Sequence, residues 1–194
     1  MRQLLRTMTK VVILVTGSLG PVVGQAFEPP LGPAAEVIDL GNASVRFQVK
    51  LFGLARIVGH FDRLNGKLVK SDDRQTGSAR MRIDVSSVNT NDDWRDELLR
   101  GPTFFDAERY PQITFSSSRL ILGGNGPEQI VGDLSLHGTT RSVVFDVAPV
   151  GRAHIYDVDS YQAIATIKRS DFGLDSLRPI VSDEVEIIVV MRTN

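Results

Sequence analysis

Between Ser44 and Leu51 apolar and polar residues take turns: Val45, Phe47, Val49 and Leu51 alternate with Ser44, Arg46, Gln48 and Lys50. The order returns over 78–85, where Ala79, Met81, Ile83 and Val85 alternate with Ser78, Arg80, Arg82 and Asp84. A side-chain period of two places alternate residues on opposite faces of an extended strand, giving one apolar and one wet face. Such segments are strands, not helices.

The pattern continues in "QITFSSSRLIL" (112–122), "QIVGDLSL" (129–136), "RSVVFDVAPV" (141–150), "YQAIATIK" (161–168) and "EVEIIVVMR" (184–192). Turns fall at "GGNGPE" and "HGTT", and "HFDRLNGKLVK" (60–70) reads as a hairpin turning at Asn65-Gly66. About eight to ten short, evenly spaced strands predict an antiparallel barrel or sandwich. Helices long enough for parallel crossovers are absent from the pattern. A barrel of about eight strands is either filled by its own side chains or holds one small ligand. Its inward faces are aliphatic and phenylalanine-rich, so any guest is apolar.

One stretch breaks the strand pattern. In "TNDDWRDELLRGPTFFDAERYPQITF" (90–115), Thr90 to Asp93 offer an N-cap and an acidic first turn. Gly101-Pro102 stops the helix, the glycine being suited to a left-handed cap. Trp94 and Leu98, at i and i+4, share its apolar side, and Phe104 and Phe105 follow in a short turn. Tyr110-Pro111 then returns the chain to extended backbone. Asp92, Asp93, Asp96 and Glu97 lack the spacing of a calcium loop, so they read as capping and solvated charge. The segment is expected to plug one end of the barrel, with Trp94 and Leu98 tying it down and Arg95-Asp96 fastening it to the rim.

The first 26 residues carry Arg2, Arg6 and Lys10, then an apolar run from Val11 to Val23, then Gly24-Gln25-Ala26. That is the order of a cleavable signal peptide, so a periplasmic or secreted protein is expected. The run is short of the ~20 residues of a membrane span, and no transmembrane segment is expected after cleavage. Residues 27–36 read as an extended leader and 37–194 as the folded domain. The chain has no cysteine, hence no disulfide or thiolate metal site. Its formal net charge of −1 and scattered basic residues give no basis for binding nucleic acid.

Four segments in order carry a resemblance: "SVRFQVKLFGLARIVGHFDRLNGKL", "RDELLRGPTFFDAERYPQITFSS", "VGDLSLHGTTRSVVFDV" and "RSDFGLDS…IVSDEVEIIV". Together, from about Val37 to about Val190, the chain resembles the YceI-like family of lipocalin-like, polyisoprenoid-binding exported proteins. The resemblance implies an all-β, antiparallel eight-stranded barrel with one short helix plugging an end. It also implies a hydrophobic tunnel for an isoprenoid or other long-chain lipid. The wall candidates are Phe47, Val49, Leu51, Phe61, Met81 and Ile83, then Phe104, Phe105, Phe115, Leu134 and Phe145; Trp94, Arg95, Asp96 and Leu98 are assigned to the lid. Family members often carry histidine four residues after the phenylalanine of the second strand; Leu51 stands there in this chain. The wall becomes more apolar and loses a hydrogen-bonding partner for a ligand's head group.

No cofactor or metal is expected. His60, His137 and His154 lack metal-ligand spacing and read as strand-end or loop residues. Ser116 to Ser118 lie in a strand without a paired base. The expected function is therefore binding or transport of a long apolar lipid without chemistry. Two alternatives stay open: an enzyme acting on such a lipid through Arg95, Asp96 or His137, and a ligand-free barrel serving as a protein-interaction module. A homodimer is allowed by the sequence and not required by it.

Overall fold

The computed structural model describes residues 36–70, 77–121, 128–150 and 160–192. In chain order the strands are β1 (Glu36–Asp39), β2 (Ser44–Leu51), β3 (Ala55–Phe61), β4 (Leu64–Lys70), β5 (Gly77–Asp84) and β6 (Val88–Asn89). The one α-helix among the described residues follows, α1 (Asp93–Arg100). Then come β7 (Gln112–Ile121), β8 (Glu128–Leu136), β9 (Thr139–Pro149), β10 (Ser160–Lys168) and β11 (Val181–Arg192). Pairing is antiparallel throughout, in the order β1-β4-β5-β7-β8-β9-β10-β11-β2-β3-β6.

Ten of the eleven strand segments make eight walls. β3 and β4 run in the same direction, separated only by Asp62-Arg63; the first half pairs with β2 and the second with β5. β5 continues through a 3-10 turn (Val85–Ser87) into β6, which pairs with β3. The backbone stays bonded across the bend, Asp84 N–H to the Arg63 carbonyl and Asp62 N–H to the Ser87 carbonyl. The circuit β2, β3–β4, β5–β6, β7, β8, β9, β10, β11 therefore closes as an antiparallel barrel, with β1 laid on β4.

This geometry corrects the hairpin expected at Asn65-Gly66. Asn65 and Gly66 lie inside β4, opposite Arg82 and Met81. The glycine is there because the sheet is tight: a Cβ at Gly66 would sit 2.5 Å from the Arg80 carbonyl oxygen and 3.3 Å from the Leu40 Cβ. The bend itself is at Asp62-Arg63, held by side chains. Asp84 caps the 3-10 turn by accepting from Ser86 N–H, Arg63 Nε donates to Asp84 at 2.9 Å, and Arg63 Nη2 donates to Ser86 Oγ at 2.7 Å. The Ser86 hydroxyl and then Arg63 hold the Asp84 carboxyl below its ordinary pKa.

The inward residues of the alternating strands make the core, among them Val45, Phe61, Met81, Ile83, Phe145 and Val189. The core thus lines the inside of the circuit, as period-two alternation demands. The turn expected at "GGNGPE", residues 27–35 of the leader, the N-terminal 26 residues and His154 lie outside the described residues; Glu36, expected to end the leader, instead opens β1.

Candidate functional site: an apolar cavity closed by α1

The barrel core is not solid. It holds a cavity of about 420 Å³, walled almost wholly by carbon. Every one of the eleven wall candidates faces it: Phe47, Val49, Leu51, Phe61, Met81 and Ile83 from β2, β3 and β5. Phe104 and Phe105 reach it from the loop after α1, and Phe115, Leu134 and Phe145 from β7, β8 and β9. Leu40, Ile57, Ile187 and Met191 complete walls that the sequence reading left unassigned.

Phenylalanines organise the interior. Phe47, Phe61 and Phe105 form a triangle with ring centroids 5.6, 6.0 and 6.3 Å apart, and Phe115 meets Phe145 edge-on at 5.2 Å. Each such pair contributes about 0.5–1.5 kcal/mol beyond simple burial. The triangle also pins the post-helix loop to the barrel, since Phe105 comes from that loop. Gly59, opposite Phe47 in the β2–β3 pair, makes room for the ring: a Cβ there would lie 2.3 Å from Phe47 Cζ.

α1 lies over one end, contributing Trp94, Arg95, Leu98 and Leu99 to the cavity wall. Asp92 is its N-cap, accepting from Arg95 N–H, and Asp93 and Asp96 stand in the first turn. At the other end Gly101 has φ −68° and ψ 169°, so the helix stops on an extended residue instead of the left-handed cap expected; its N–H still reaches the Glu97 and Leu98 carbonyls. The left-handed residue comes later, at Asp106 (φ 48°), which turns the chain toward Tyr110.

The helix is fastened by polar contacts. Buried Asp96 accepts from both Thr90 N–H (2.8 Å) and Thr90 Oγ1 (2.5 Å), while Arg95 donates to Thr90 Oγ1 and to its carbonyl. Arg100 donates to the carbonyls of Ser86 and Val88, tying α1 to the bend that closes the barrel. Asp96 is not part of the cavity wall. Trp94 departs from the anchoring role expected of it: it lines the cavity but is 76% exposed, because it sits on the first turn where the helix overhangs the opening. Leu98, one turn on, is half-buried.

His60 stands on β3 with Nε2 3.0 Å from Asp62, and His137 occupies the β8–β9 turn. The His137 ring packs on Tyr110 at 4.7 Å, and its Nδ1 meets the Phe172 carbonyl at 3.2 Å. Neither lines the cavity. Buried Ser117 accepts the Ala79 N–H of β5 at 2.7 Å, beside the register shift between β7 and β8.

The residue that sequence reading missed is Arg169, 5% exposed and part of the cavity wall. It lies in a 3-10 turn (Arg169–Phe172) after β10, so strand periodicity says nothing about its direction. Its guanidinium donates to the carbonyls of Leu174, Val181 (3.1 Å) and Ser182 (2.9 Å), holding the 174–182 loop. Burial pulls its pKa down and Asp183 pulls it up, and an arginine under these influences stays charged. Among the described residues, the ionisable side chains of the wall are two arginines, Arg95 and Arg169, with no carboxylate.

A closed antiparallel barrel with an apolar interior and a helix across its end belongs to the lipocalin-like architectures. The YceI-like domain model matches residues 37–193, and the chain belongs to the YceI-like family. A UPF0312 protein of Vibrio parahaemolyticus is 33% identical over 128 residues, 63% of this chain and 67% of that protein. One of Vibrio cholerae is 32% identical over 59% of this chain and 62% of its own length, so the match leaves over a third of that relative uncovered. Among solved structures, BcnA of Burkholderia cenocepacia has a TM-score of 0.67 at 28% identity, covering 81% of this chain and 99% of BcnA. The Campylobacter jejuni YceI protein gives 0.64 at 25%, with 73% and 86% covered. A polyisoprenoid binding domain from Saccharophagus degradans shares the fold, with a TM-score of 0.55 at 19% identity over 79% of this chain and 95% of that domain.

Proposed function

We propose that the protein is an exported carrier that holds one long apolar lipid of isoprenoid type in its barrel and leaves it chemically unchanged. The observation that carries this reading is the cavity of about 420 Å³ with its almost all-carbon wall. A volume of that size falls in the range of ligand pockets, roughly 300–1,000 Å³. A water cluster inside would find few polar partners, and water in a cavity needs about two to four. The polyisoprenoid-binding neighbour shares this barrel and supports the choice of ligand class by fold alone. Leu51, at the position where relatives often hold histidine, favours a hydrocarbon contact there. Arg95, 3.6 Å from the Asp92 carboxylate, and Arg169, which feels Asp183, are the charged groups that reach the wall, and both favour a neutral or anionic head group over a cationic one.

Export is supported by the order of charges, apolar run and small residues over 1–26. The experiment is to purify the protein from its native envelope, extract it with organic solvent and identify what is released by mass spectrometry. One lipid per protein, long and mostly hydrocarbon, is the expected result, from a chain that begins at Phe27. Repeated recovery of protein with no bound lipid overturns the carrier reading, and an uncleaved cytoplasmic chain overturns export.

A further inference from the structure

The mouth of the cavity is rimmed by apolar side chains left largely in water. The β2–β3 hairpin reads Lys50-Leu51-Phe52-Gly53-Leu54-Ala55-Arg56. Leu51 lines the cavity, whereas Phe52 is 69% and Leu54 90% exposed, and neither belongs to the cavity wall. Phe52 N–H donates to the Ile180 carbonyl, which brings the 174–181 loop alongside; there Leu177, which does line the cavity, is 48% exposed. Trp94 completes the rim from α1.

Three features of this rim oppose stability. Phe52 (φ 50°) and Leu177 (φ 58°) are bulky side chains in the left-handed region, where Asn or Gly would fit with less strain. Leu54 leaves its whole side chain in water. Lys50 and Arg56 stand directly opposite each other in the strand pair, a like-charge placement that weakens a hairpin. Both are exposed, and among the described residues neither has an ion pair. Costs gathered at one exposed edge, next to the opening of an apolar cavity, point to a partner that repays them.

We propose that the 50–56 hairpin docks on the surface of an anionic phospholipid bilayer. Phe52 and Leu54 enter the acyl boundary and Lys50 and Arg56 meet lipid phosphates. Apolar side chains flanked by cations with long aliphatic stems match the layered chemistry of that surface. Asp92, Asp93 and Glu97 on α1 are repelled by phosphates, which leaves the hairpin as the leading edge. Docking there sets the cavity mouth against the bilayer, so a chain-shaped lipid can pass between the two without crossing water. The purpose of the surface rests on the carrier reading; its test does not.

The test is flotation of the protein, purified from its native envelope, with vesicles of phosphatidylcholine alone and of phosphatidylcholine mixed with phosphatidylglycerol. The protein should float with the mixed vesicles. Phe52→Asn/Leu54→Ser, which relieves backbone strain and spares the cavity wall, should lose about tenfold or more of that binding and keep its bound lipid. Lys50→Ala/Arg56→Ala should bind mixed vesicles more weakly, about fivefold per cation, and pure phosphatidylcholine as before. All variants share one N-terminus, so the differences read the hairpin. Absence of flotation, or unchanged flotation of Phe52→Asn/Leu54→Ser, overturns docking. So does a dimer in solution that this double variant dissolves, since the rim's partner is then a second copy. Hairpin-dependent flotation by a protein that yields no lipid on extraction overturns the carrier and leaves docking standing.

Discussion

Gly59 and Asp96 show two ways in which a single residue sets up the cavity. In Gly59→Ala the new methyl points inward, 2.3 Å from the tip of the Phe47 ring, and the ring has empty space to move into. The expected outcome is a stability loss of about 1–3 kcal/mol in urea unfolding, with a drop in bound lipid per protein as Phe47 occupies part of the cavity. Asp96→Ala acts elsewhere: it strips Thr90 N–H and Oγ1 of their buried acceptor. Leaving buried donors unpaired costs about 1–3 kcal/mol, read in the same unfolding experiment. The inward residues were legible because alternation fixes which side chains share a face, and each alternating position assigned to the wall does face the cavity. Arg169 was not legible, because it follows a strand in a 3-10 turn and its direction is set by three carbonyls of a loop far along the chain. Trp94 was misread for a related reason. Spacing of i, i+4 shows that two residues share a side of a helix, not how far that helix overhangs the opening.

At the scale of elements, two polar clusters hold the parts that strands alone leave loose. Asp84, Arg63 and Ser86 hold the barrel bend, and Asp183 accepts from Ser170 N–H and Oγ to hold the start of β11 against the 3-10 turn. Asp183 feels burial, which raises its pKa, but the Ser170 bonds and the Arg178 and Arg169 charges outweigh it, so its pKa, like that of Asp84, is lowered. A carboxylate with a lowered folded pKa contributes stability above its unfolded value, near 3.9, and loses it as pH falls through the folded value. The melting temperature should therefore be insensitive to these two groups between about pH 5 and 7 and fall below about pH 4. Asp84→Asn/Asp183→Asn should melt lower at neutral pH and show a shallower acid decline in a pH series by circular dichroism. The helix cap gives a separate expectation. Asp92→Ala should lower stability by about 1 kcal/mol and speed exchange of bound lipid, because α1 frays at the turn that carries Trp94. The helix and its cap could be read from the sequence; the bend at Asp62-Arg63 could not. Asn-Gly is a strong hairpin signal, and here it was overridden by backbone packing at Gly66.

For the whole molecule, the eight-walled circuit explains why the cavity survives folding. A sheet with free edges can flatten or slide until its apolar faces touch; a closed circuit fixes its own radius, and about eight strands leave room for one small ligand. The count was obscured in the sequence because two walls are each broken into two segments by bends, giving ten strands for eight walls, and β1 adds an eleventh outside the circuit. Closure preserves a void whose lining has water or nothing for a partner, so the empty protein forfeits contacts that a hydrocarbon chain restores. Occupancy should thus govern stability by mass action. Delipidated protein, refilled with a long isoprenoid alcohol at about a hundred times its dissociation constant, should gain about 2.7 kcal/mol, or roughly 5–10 °C in melting temperature for a chain of this size. The gain should continue to climb with the logarithm of ligand concentration, which distinguishes binding to the native barrel from a nonspecific solvent effect. It should shrink as the alcohol is shortened, because a short chain leaves part of the wall uncovered. Phe105→Ala opens the floor beneath α1 and should shift the preference toward bulkier chains at a cost of about 3–5 kcal/mol to the empty protein. A melting temperature that ignores chain length would mean the hydrocarbon never enters the barrel.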